Sequence, residues 1–299
     1  MSRKKFFSKD LIFYVVMLAF PVLQFCIFYI GVNGRSLLFA FQTVDQYNNA
    51  TFDITALSNA FHQLFTKTML IKIGNSFLAF LLTYSIGTTL ALFFSYFIYK
   101  KLAGSALFKV FLFLPSIISS IILATIFHFF MEEAVPTISN QWFHNTISGL
   151  MSNPDTRFGV VIFYNVLMSF GTSVLMYSNA MSGLSNEIVE AAKIDGCNQF
   201  REFFHIVLPG IFPTITTFAI TSVAAIFVNQ LALYSLYPGG ADASIQTIGY
   251  FLYIETLRAG DNQAQYPLLC AFGTLISLVA IPLTILTKFL LERFGPSDK

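Results

Sequence analysis

The segment 186–209 combines charged side chains with small and helix-breaking residues, a combination suited to docking on a soluble protein. Its defining residues are Glu190, Ala191, Ala192, Asp195, Gly196, Ile206, Leu208 and Pro209. Charged groups offer ion pairs to a partner, and small residues let another protein surface approach closely. The chemistry expected of this segment is therefore recognition of a partner protein, although packing against its own helix bundle stays open as an alternative.

The first half of the segment is predicted to form a short helix. Asn186 is expected to cap its start, with Glu187 in the first turn, where the helix dipole favours an acid. Glu190 and Lys193 stand three residues apart, which is the spacing of an opposite-charge pair. Gly196 is expected to end the helix, because glycine adopts the left-handed cap conformation at little cost.

The second half is predicted to form another short helix. Asn198 can cap its start, and Pro209 breaks the pattern before the next apolar stretch. The expected apolar stripe consists of Phe200, Phe203, Phe204 and Val207. The sequence thus predicts a helix–turn–helix that lies against a membrane face.

The composition places the rest of the chain in lipid. Of its 299 residues 56% are hydrophobic and 11% are charged, whereas a soluble domain carries roughly 25% charged residues. The net charge of +2 is too small to indicate nucleic-acid binding. Cys26, Cys197 and Cys270 are far apart and show neither a disulfide framework nor metal-ligand spacing.

Six apolar segments reach the roughly 20 residues that a membrane-spanning helix needs. They are Leu11–Val32, Asn75–Tyr99, Leu107–Phe130, Phe158–Met181, Ile211–Tyr237 and Pro267–Leu291. The first is too long for a secretory signal and lacks a small-x-small cleavage site, so we predict a retained anchor helix. The predicted fold class is an all-α membrane protein with six transmembrane helices.

The predicted organisation has three parts. Residues 1–74 form the anchor helix and an external segment, residues 75–292 form five spans with the loop 186–209, and residues 293–299 form a tail. The connections 33–74, 131–157 and 238–266 are expected outside, either as ordinary loops or as a rim that holds an external protein. Residues 65–73 are expected to form an interfacial helix.

The distribution of basic residues predicts that both termini and the loop 186–209 face the cytoplasm, because basic residues concentrate on that side. The inner set is Arg3, Lys4, Lys5, Lys9, Lys100, Lys101, Lys109, Lys193, Arg201, Lys288, Arg293 and Lys299. The smaller outer set is Arg35, Lys67, Lys72, Arg157 and Arg258.

The order Glu-Ala-Ala, three residues, Gly, nine residues, Ile-x-Leu-Pro resembles the signature loop of permease subunits of binding-protein-dependent ABC importers. Here it spans residues 190–209 without gap or insertion. Two positions depart from the common form: Ser185 stands near where a proline is frequent, and Cys197 replaces an alanine. Further similarity to the carbohydrate-uptake branch lies in Leu114-Pro115-Ser116, Tyr237-Pro238-Gly239-Gly240 before Thr247, and Leu290-Leu291-Glu292-Arg293.

Within that branch the chain resembles the larger maltose-type permease subunit, in a short form without the large external insertion. The resemblance implies a type I ABC importer permease fold with a cytoplasmic coupling helix, in a bacterial cell membrane. It implies a second homologous permease subunit, a cytoplasmic ATPase dimer and an extracytoplasmic solute-binding protein as partners. ATP and magnesium would be bound by the ATPase, and this chain would bind no cofactor or metal. The implied coupling residues are Glu190, Ala191, Ala192, Asp195 and Gly196.

The sequence shows no evident means of powering transport within this chain, which is consistent with energy supplied by a partner protein. No Gly-x-x-x-x-Gly-Lys-Ser/Thr loop occurs in the sequence, so the chain has no evident means of holding ATP phosphates. Acidic residues are nearly absent from the span interiors, so the carboxylate relay of a proton-driven carrier is not indicated either.

A sugar carries many hydroxyls and no charge, so its path should offer amides, hydroxyls and aromatic faces. We predict this role for Asn165, Ser169, Asn229, Gln230 and Tyr234. Asn229 and Gln230 are the clearest case, because two adjacent amides in apolar surroundings must find partners. Hydrogen bonding between helices would explain the same residues, and both interpretations stay open.

The expected function is translocation of a sugar or oligosaccharide by an ATP-driven importer. One alternative is an ABC importer permease for another solute, such as glycerol-phosphate, a polyamine, an amino acid or phosphate. A charged solute would require opposite charges in the path, and these are scarce. An intramembrane enzyme would require paired acids or metal ligands at membrane depth, and a scaffold without transport is a further alternative.

Overall fold

The computed structural model describes residues 9–44 and 49–296, and these residues are mostly helical. The predictions that rest on Arg3, Lys4, Lys5 and Lys299 lie outside the described residues. The chain divides into two compact units. One comprises residues 1–65 and 255–277, and the other comprises residues 66–254 and 278–299.

The first unit begins with a long apolar helix. Its elements are α1 (Lys9–Gln24), a π-helical stretch (Phe25–Gly31), α2 (Val32–Phe39), the strands β1 (Gln42–Val44) and β2 (Ala50–Phe52), and α3 (Thr55–Leu64). The strands pair antiparallel, with Thr43 opposite Thr51. The apolar stretch Phe13–Phe39 has its side chains exposed within this chain, as expected for a helix whose solvent is lipid.

The second unit contains most of the remaining helices. They are α4 (Lys67–Tyr99), α5 (Ser105–Ile117), α6 (Ser120–Phe129), α7 (Val135–Phe143), α8 (Arg157–Ser182), α9 (Asn186–Ile194), α10 (Gln199–Glu202), α11 (Leu208–Gly210), α12 (Phe212–Ala224) and α13 (Leu233–Leu236). The π-helical stretches Phe130–Ala134 and Phe203–Val207 join α6 to α7 and α10 to α11. The residues of α14 (Ile248–Ala259) and α15 (Tyr266–Phe294) are divided between the units.

The prediction of six spans is confirmed when a bent helix pair is counted as one. Five helices of the described residues are long and apolar enough to cross a membrane: Phe13–Phe39, Lys67–Tyr99, Ser120–Phe143, Arg157–Ser182 and Gln263–Phe294. The sixth candidate joins Gln199–Gly210 to Phe212–Ala224 with a bend of 64°. The chain is therefore a multi-pass membrane protein.

The predicted third span, Leu107–Phe130, is wrong as one continuous helix. α5 ends at Ile117, and both Ile118 and Ser119 have extended backbones, with ψ of 143° and 131°. Pro115 lies inside the last turn of α5 and removes a backbone donor there, so the helix is weakened at this point. A new helical run starts at Ser120 and continues to Phe143, well into the stretch predicted as an external loop.

The predicted fifth span, Ile211–Tyr237, is also wrong in its second half. α12 ends at Ala224, and an irregular stretch follows in which Leu231 and Ala232 both have φ of 53°. Side chains satisfy this irregular backbone. The Asn229 Oδ1 accepts the Leu231 N–H at 2.8 Å, and the Asn165 Nδ2 donates to the Leu231 carbonyl at 2.9 Å. Such backbone is tolerated at membrane depth where it is buried in protein or lines a cavity.

Two connections hold more helix than predicted. The stretch 238–266 contains α14. Helix α4 begins at Lys67, so most of the predicted interfacial helix at 65–73 forms about the first two turns of a spanning helix.

Buried side chains of the second unit form two clusters. One surrounds α8 near Val161 and includes Leu231, Leu233 and Leu236 of the irregular stretch, which explains why that stretch keeps a fixed shape. The other joins α4 and α8 to the end of the 186–209 segment through Phe203, Val207 and Ile211.

Candidate functional site: the 186–209 segment and a hydroxyl-lined cavity

The cap of helix α9 lies one residue before the predicted cap, Asn186. The Ser185 hydroxyl accepts the Glu187 N–H at 3.2 Å, and the Ser185 backbone is extended, as a capping residue requires. The prediction of Asn186 as the cap is therefore wrong, since Asn186 is the first helical residue. Ser185, which stands near the position where the family frequently has a proline, thus supplies the cap.

Most of α9 is presented away from the bundle. Val189 is buried, whereas Glu190, Ala191 and Asp195 are exposed, and Ile194 is 86% exposed. The predicted Glu190–Lys193 ion pair is not formed between these two described side chains. Glu190 is thus left with its carboxylate directed to solvent, available to a partner.

The turn after α9 forms as predicted. Gly196 has φ of +77°, and its N–H donates to the Lys193 carbonyl at 3.1 Å. The Cys197 N–H donates to the Ala192 carbonyl at 2.9 Å, so the last carbonyls of the helix are satisfied by a left-handed cap. A side chain at Gly196 would strain this conformation.

Helix α10 is capped by Asn198, as predicted, because its Oδ1 accepts the Arg201 N–H at 2.8 Å. The predicted apolar stripe is divided between two environments. Phe203 and Val207 are 4% and 0% exposed, whereas Phe200 is 71% exposed and Phe204 is 46% exposed. The second half of the segment is therefore anchored in the bundle by only one side of the stripe.

A cavity of about 220 Å³ lies among α4, α8, α12 and the irregular stretch. Its polar lining residues are Ser76, Thr83, Tyr84, Thr88, Ser169, Ser173, Ser222, Asn229 and Thr247. The other lining residues are Ala79, Phe80, Gly87, Ala225, Ile226 and Leu231. None of these described lining residues is charged, so the cavity offers hydrogen bonds and apolar contacts to a neutral, hydroxylated molecule.

The structure brings together two of the five predicted pathway residues. Ser169 and Asn229 both line the 220 Å³ cavity. Asn165 lines a different cavity of about 650 Å³, and its Nδ2 donates to the carbonyls of Val161 and Leu231. Asn165 is thus occupied in holding the irregular stretch against α8.

The other two predicted pathway residues lie outside both cavities. Gln230 is half-buried, and Tyr234 is 47% exposed with its ring edge-on to Tyr253 at a centroid distance of 5.4 Å. Their assignment to the solute path stays a prediction.

Half of the hydroxyls that line the cavity come from helix α4, a helix for which the sequence analysis proposed no pathway residue. Ser76, Thr83 and Thr88 are separated by seven and five residues, so they recur on neighbouring faces of one helix. The signal in the sequence is the recurrence of small and hydroxyl residues at helical spacing in the second span. A search for it could have found these lining residues.

The stretch after Tyr237 is joined to the start of helix α8 through polar contacts. The Arg157 Nη2 donates to the Asp242 carboxylate at 3.1 Å and to the Ser244 hydroxyl at 2.7 Å. Hydrogen bonds from the backbone N–H and the hydroxyl of Ser244, together with the Arg157 charge, hold the pKa of Asp242 below its usual value. Thr247 connects the same stretch to the cavity, since its hydroxyl donates to the Asn229 carbonyl at 2.9 Å.

A family model described as a binding-protein-dependent transport system inner membrane component matches residues 84–297. The match includes the 186–209 segment and most of the cavity wall. The chain belongs to this family. It is a transport subunit of the ABC importer permease type, as its signature loop indicated.

Individual relatives agree with this assignment over most of the chain. The sn-glycerol-3-phosphate transport system permease protein UgpA of Yersinia pseudotuberculosis is 25% identical over 276 residues, covering 89% of this chain and 90% of that protein. The maltose/maltodextrin permease protein MalF of Salmonella typhimurium is 25% identical over 246 residues, covering 78% of this chain but 46% of MalF. This difference agrees with the short form predicted here.

A solved structure of a bacterial ABC transporter involved in the import of the acidic polysaccharide alginate contains a chain with the same fold. It superposes with a TM-score of 0.78 at 18% identity and covers 96% of both chains. The predicted type I importer permease fold is confirmed.

Proposed function

We propose that this chain translocates a neutral sugar or oligosaccharide as the membrane-spanning subunit of an ATP-driven importer. The observation that carries the proposal is the 220 Å³ cavity, whose wall is made of hydroxyl, amide, aromatic and aliphatic groups without a charged side chain. An uncharged polyol exchanges hydrogen bonds with water for hydrogen bonds with such a wall, and its apolar faces contact the aliphatic part.

The cavity is smaller than typical ligand pockets, which measure roughly 300–1,000 Å³. We therefore infer that it forms one subsite of a path completed by a second homologous permease subunit. One relative supports this class of solute, because MalF is named for maltose and maltodextrin.

The exposure of helix α9 supports a proposal for the other subunits of the importer. We infer that α9 docks on a cytoplasmic ATPase dimer, which binds ATP and magnesium, while this chain binds neither. An extracytoplasmic solute-binding protein would deliver the solute. This arrangement requires the segment 186–209 and both termini to lie in the cytoplasm, as the basic residues predict.

Glycerol-phosphate is the second candidate solute, favoured by the similarity to UgpA over nearly the full chain. A phosphate ester carries a charge that would normally be met by Lys or Arg. The cavity wall supplies neither, so we rank this candidate below a neutral sugar.

The test is uptake by a strain that lacks this chain and is complemented with the wild type. Competing solutes would be a neutral disaccharide, a neutral oligosaccharide, glycerol-3-phosphate and an amino acid. We expect uptake of a neutral sugar that depends on the complementing gene and on ATP. Uptake restricted to glycerol-3-phosphate or to the amino acid would show that the sugar assignment is wrong.

A variant of the cavity wall sharpens this test. We expect Asn229→Ala to lower solute uptake several-fold while the complex still assembles. Gln230→Ala tests separately whether the neighbouring amide, which does not line the cavity, shares this role as the sequence predicts. Loss of assembly in Asn229→Ala would instead assign Asn229 to packing of the irregular stretch.

A further inference from the structure

An ion pair joins the second half of the 186–209 segment to the end of helix α4. Lys100 follows the last residue of α4, and Glu202 ends α10. The side chains are 14% and 3% exposed, so both charges are largely removed from solvent. The other ion pair at the end of a spanning helix, Lys288–Glu292, has both side chains 59% exposed.

Aromatic rings and a further hydrogen bond surround the Lys100–Glu202 pair. The Tyr96 hydroxyl donates to the Gln199 carbonyl at 3.1 Å, and the Phe203 ring stacks on Phe93 at a centroid distance of 5.4 Å. The Lys100 ammonium lies 5.4 Å from the centroid of the Tyr96 ring. The contact between the end of α4 and α10 therefore consists of several interactions, an ion pair, a hydrogen bond and ring contacts, rather than a single surface ion pair.

Removing both charges from solvent costs free energy, so a contribution to stability does not by itself explain why a buried ion pair stands here. Desolvation of a buried pair can exceed its mutual attraction, and apolar side chains of similar volume often hold a fold equally well. An ion pair between two helix ends, however, opposes movement of one helix end away from the other. Lys100 lies at the negative end of α4, and Glu202 lies in the first turn of the helical run Gln199–Gly210, so each helix dipole favours its charge.

Helix α4 connects this junction to the cavity. It runs unbroken from Lys67 to Tyr99 without a proline, and Thr83, Tyr84 and Thr88 form part of the cavity wall. Thr88 and Lys100 are separated by twelve residues of helix, or about 18 Å. A continuous, hydrogen-bonded helix therefore links α10 to residues of the cavity wall.

We propose that the Lys100–Glu202 pair is a strut that carries movement of the 186–209 segment to helix α4 and to the cavity wall. The inference rests on the proposed coupling to an ATPase. Glu202 and Lys100 are positioning residues: they touch neither nucleotide nor solute, and they make α4 follow the segment when the ATPases close.

The experiment compares Glu202→Gln with the wild type in the complete assembled transporter. Hydrogen exchange is measured with and without ATP, using a hydrolysis-deficient ATPase partner, over residues 186–197 and over residues 90–100. In the wild type we expect ATP to change exchange in both stretches. In Glu202→Gln we expect the change at 186–197 to persist, the change at 90–100 to fall at least fivefold, and solute imported per ATP hydrolysed to fall about tenfold in transporters with an active ATPase.

Two further variants control for charge and for folding. The reversed pair Lys100→Glu with Glu202→Lys should recover at least half of the response at 90–100, and Glu292→Gln at the exposed pair should leave both stretches as in the wild type. If Glu202→Gln does not assemble, Lys100→Gln gives the same comparison, since it removes the other charge of the pair and leaves an amide that can still donate a hydrogen bond to Glu202.

The outcomes separate this proposal from the proposed function. A normal response at 90–100 in Glu202→Gln, loss of both responses, or failure of the reversed pair to restore the response would overturn the strut. Absence of an ATP response at 186–197 in the wild type would instead contradict ATPase docking itself, and the strut would fall with it.

Discussion

The two halves of the 186–209 segment have opposite environments despite similar length and helix content. Helix α9 exposes Glu190 and Ile194 and buries Val189, whereas the stretch after Asn198 buries Glu202, Phe203 and Val207. A loop that served only to pack on its own bundle would bury its large apolar residues on both sides of the turn. The difference supports the proposal that α9 docks on a partner, while the second half anchors the segment to the bundle.

The largest expected effect concerns anchoring. Phe203→Ala should destabilise the protein by roughly 3–5 kcal/mol, because it removes a buried aromatic ring and leaves a cavity. Phe200→Ala, in the same helical run but exposed, should change stability by no more than about 0.5 kcal/mol. Thermal unfolding of the purified complex measures both, and equal losses would remove the distinction between the two sides of the stripe.

The next effect concerns presentation. Glu190→Lys reverses an exposed charge on α9, so we expect normal folding with ATP-driven uptake and ATPase co-purification lowered tenfold or more, equivalent to about 1.4 kcal/mol or more of binding energy. Glu292→Lys provides a charge reversal of the same kind on an exposed site outside the segment. Wild-type uptake and ATPase recovery in Glu190→Lys would show that Glu190 has no docking role.

The turn between the halves should give a smaller effect. Gly196→Ala forces a side chain into a left-handed conformation and should cost about 1 kcal/mol. Gly159→Ala in α8 meets open space and should be neutral or slightly stabilising. Melting temperatures of the two variants should therefore move in different directions, and a matching decrease would contradict the role of backbone strain at Gly196.

The smallest effect is expected at the Arg157–Asp242 ion pair, whose Asp242 side chain is exposed, in contrast to the buried Lys100–Glu202 pair. Because hydrogen bonds from Ser244 and the Arg157 charge lower the pKa of Asp242, the ionised carboxylate contributes stability above its unfolded pKa of about 3.9. That contribution is lost as the pH falls through the lower folded value. Asp242→Asn should cost roughly 0.5 kcal/mol at pH 7, since the Asp242 side chain is 53% exposed, and nothing at a pH below the folded pKa. A constant difference across this pH range would contradict the assignment.

The sequence predicted the helix–turn–helix because its signals are local. Gly196 and Asn198 act through the conformation or side chain of a single residue, and both form as expected. The cap at Ser185 was misplaced by one residue because serine and asparagine are both strong capping residues.

The broken third and fifth spans could not be predicted from hydrophobicity. Apolar runs around Pro115 and Leu231 look continuous, but the backbone at Leu231 is satisfied by the distant side chains of Asn165 and Asn229. The cavity was only partly predicted for the same reason. Its wall depends on which faces of α4, α8 and α12 meet, and Thr83 or Ser173 alone resembles an ordinary hydroxyl in a spanning helix.

The most direct test of docking by α9 is a photo-activated cross-linking residue at position 194 in the assembled transporter, with the buried position 207 as the control. We expect the residue in place of Ile194 to cross-link to the cytoplasmic ATPase subunit, and the residue in place of Val207 to cross-link within this chain. Cross-links from position 194 only to lipid, or to the extracytoplasmic binding protein, would contradict ATPase coupling through this segment.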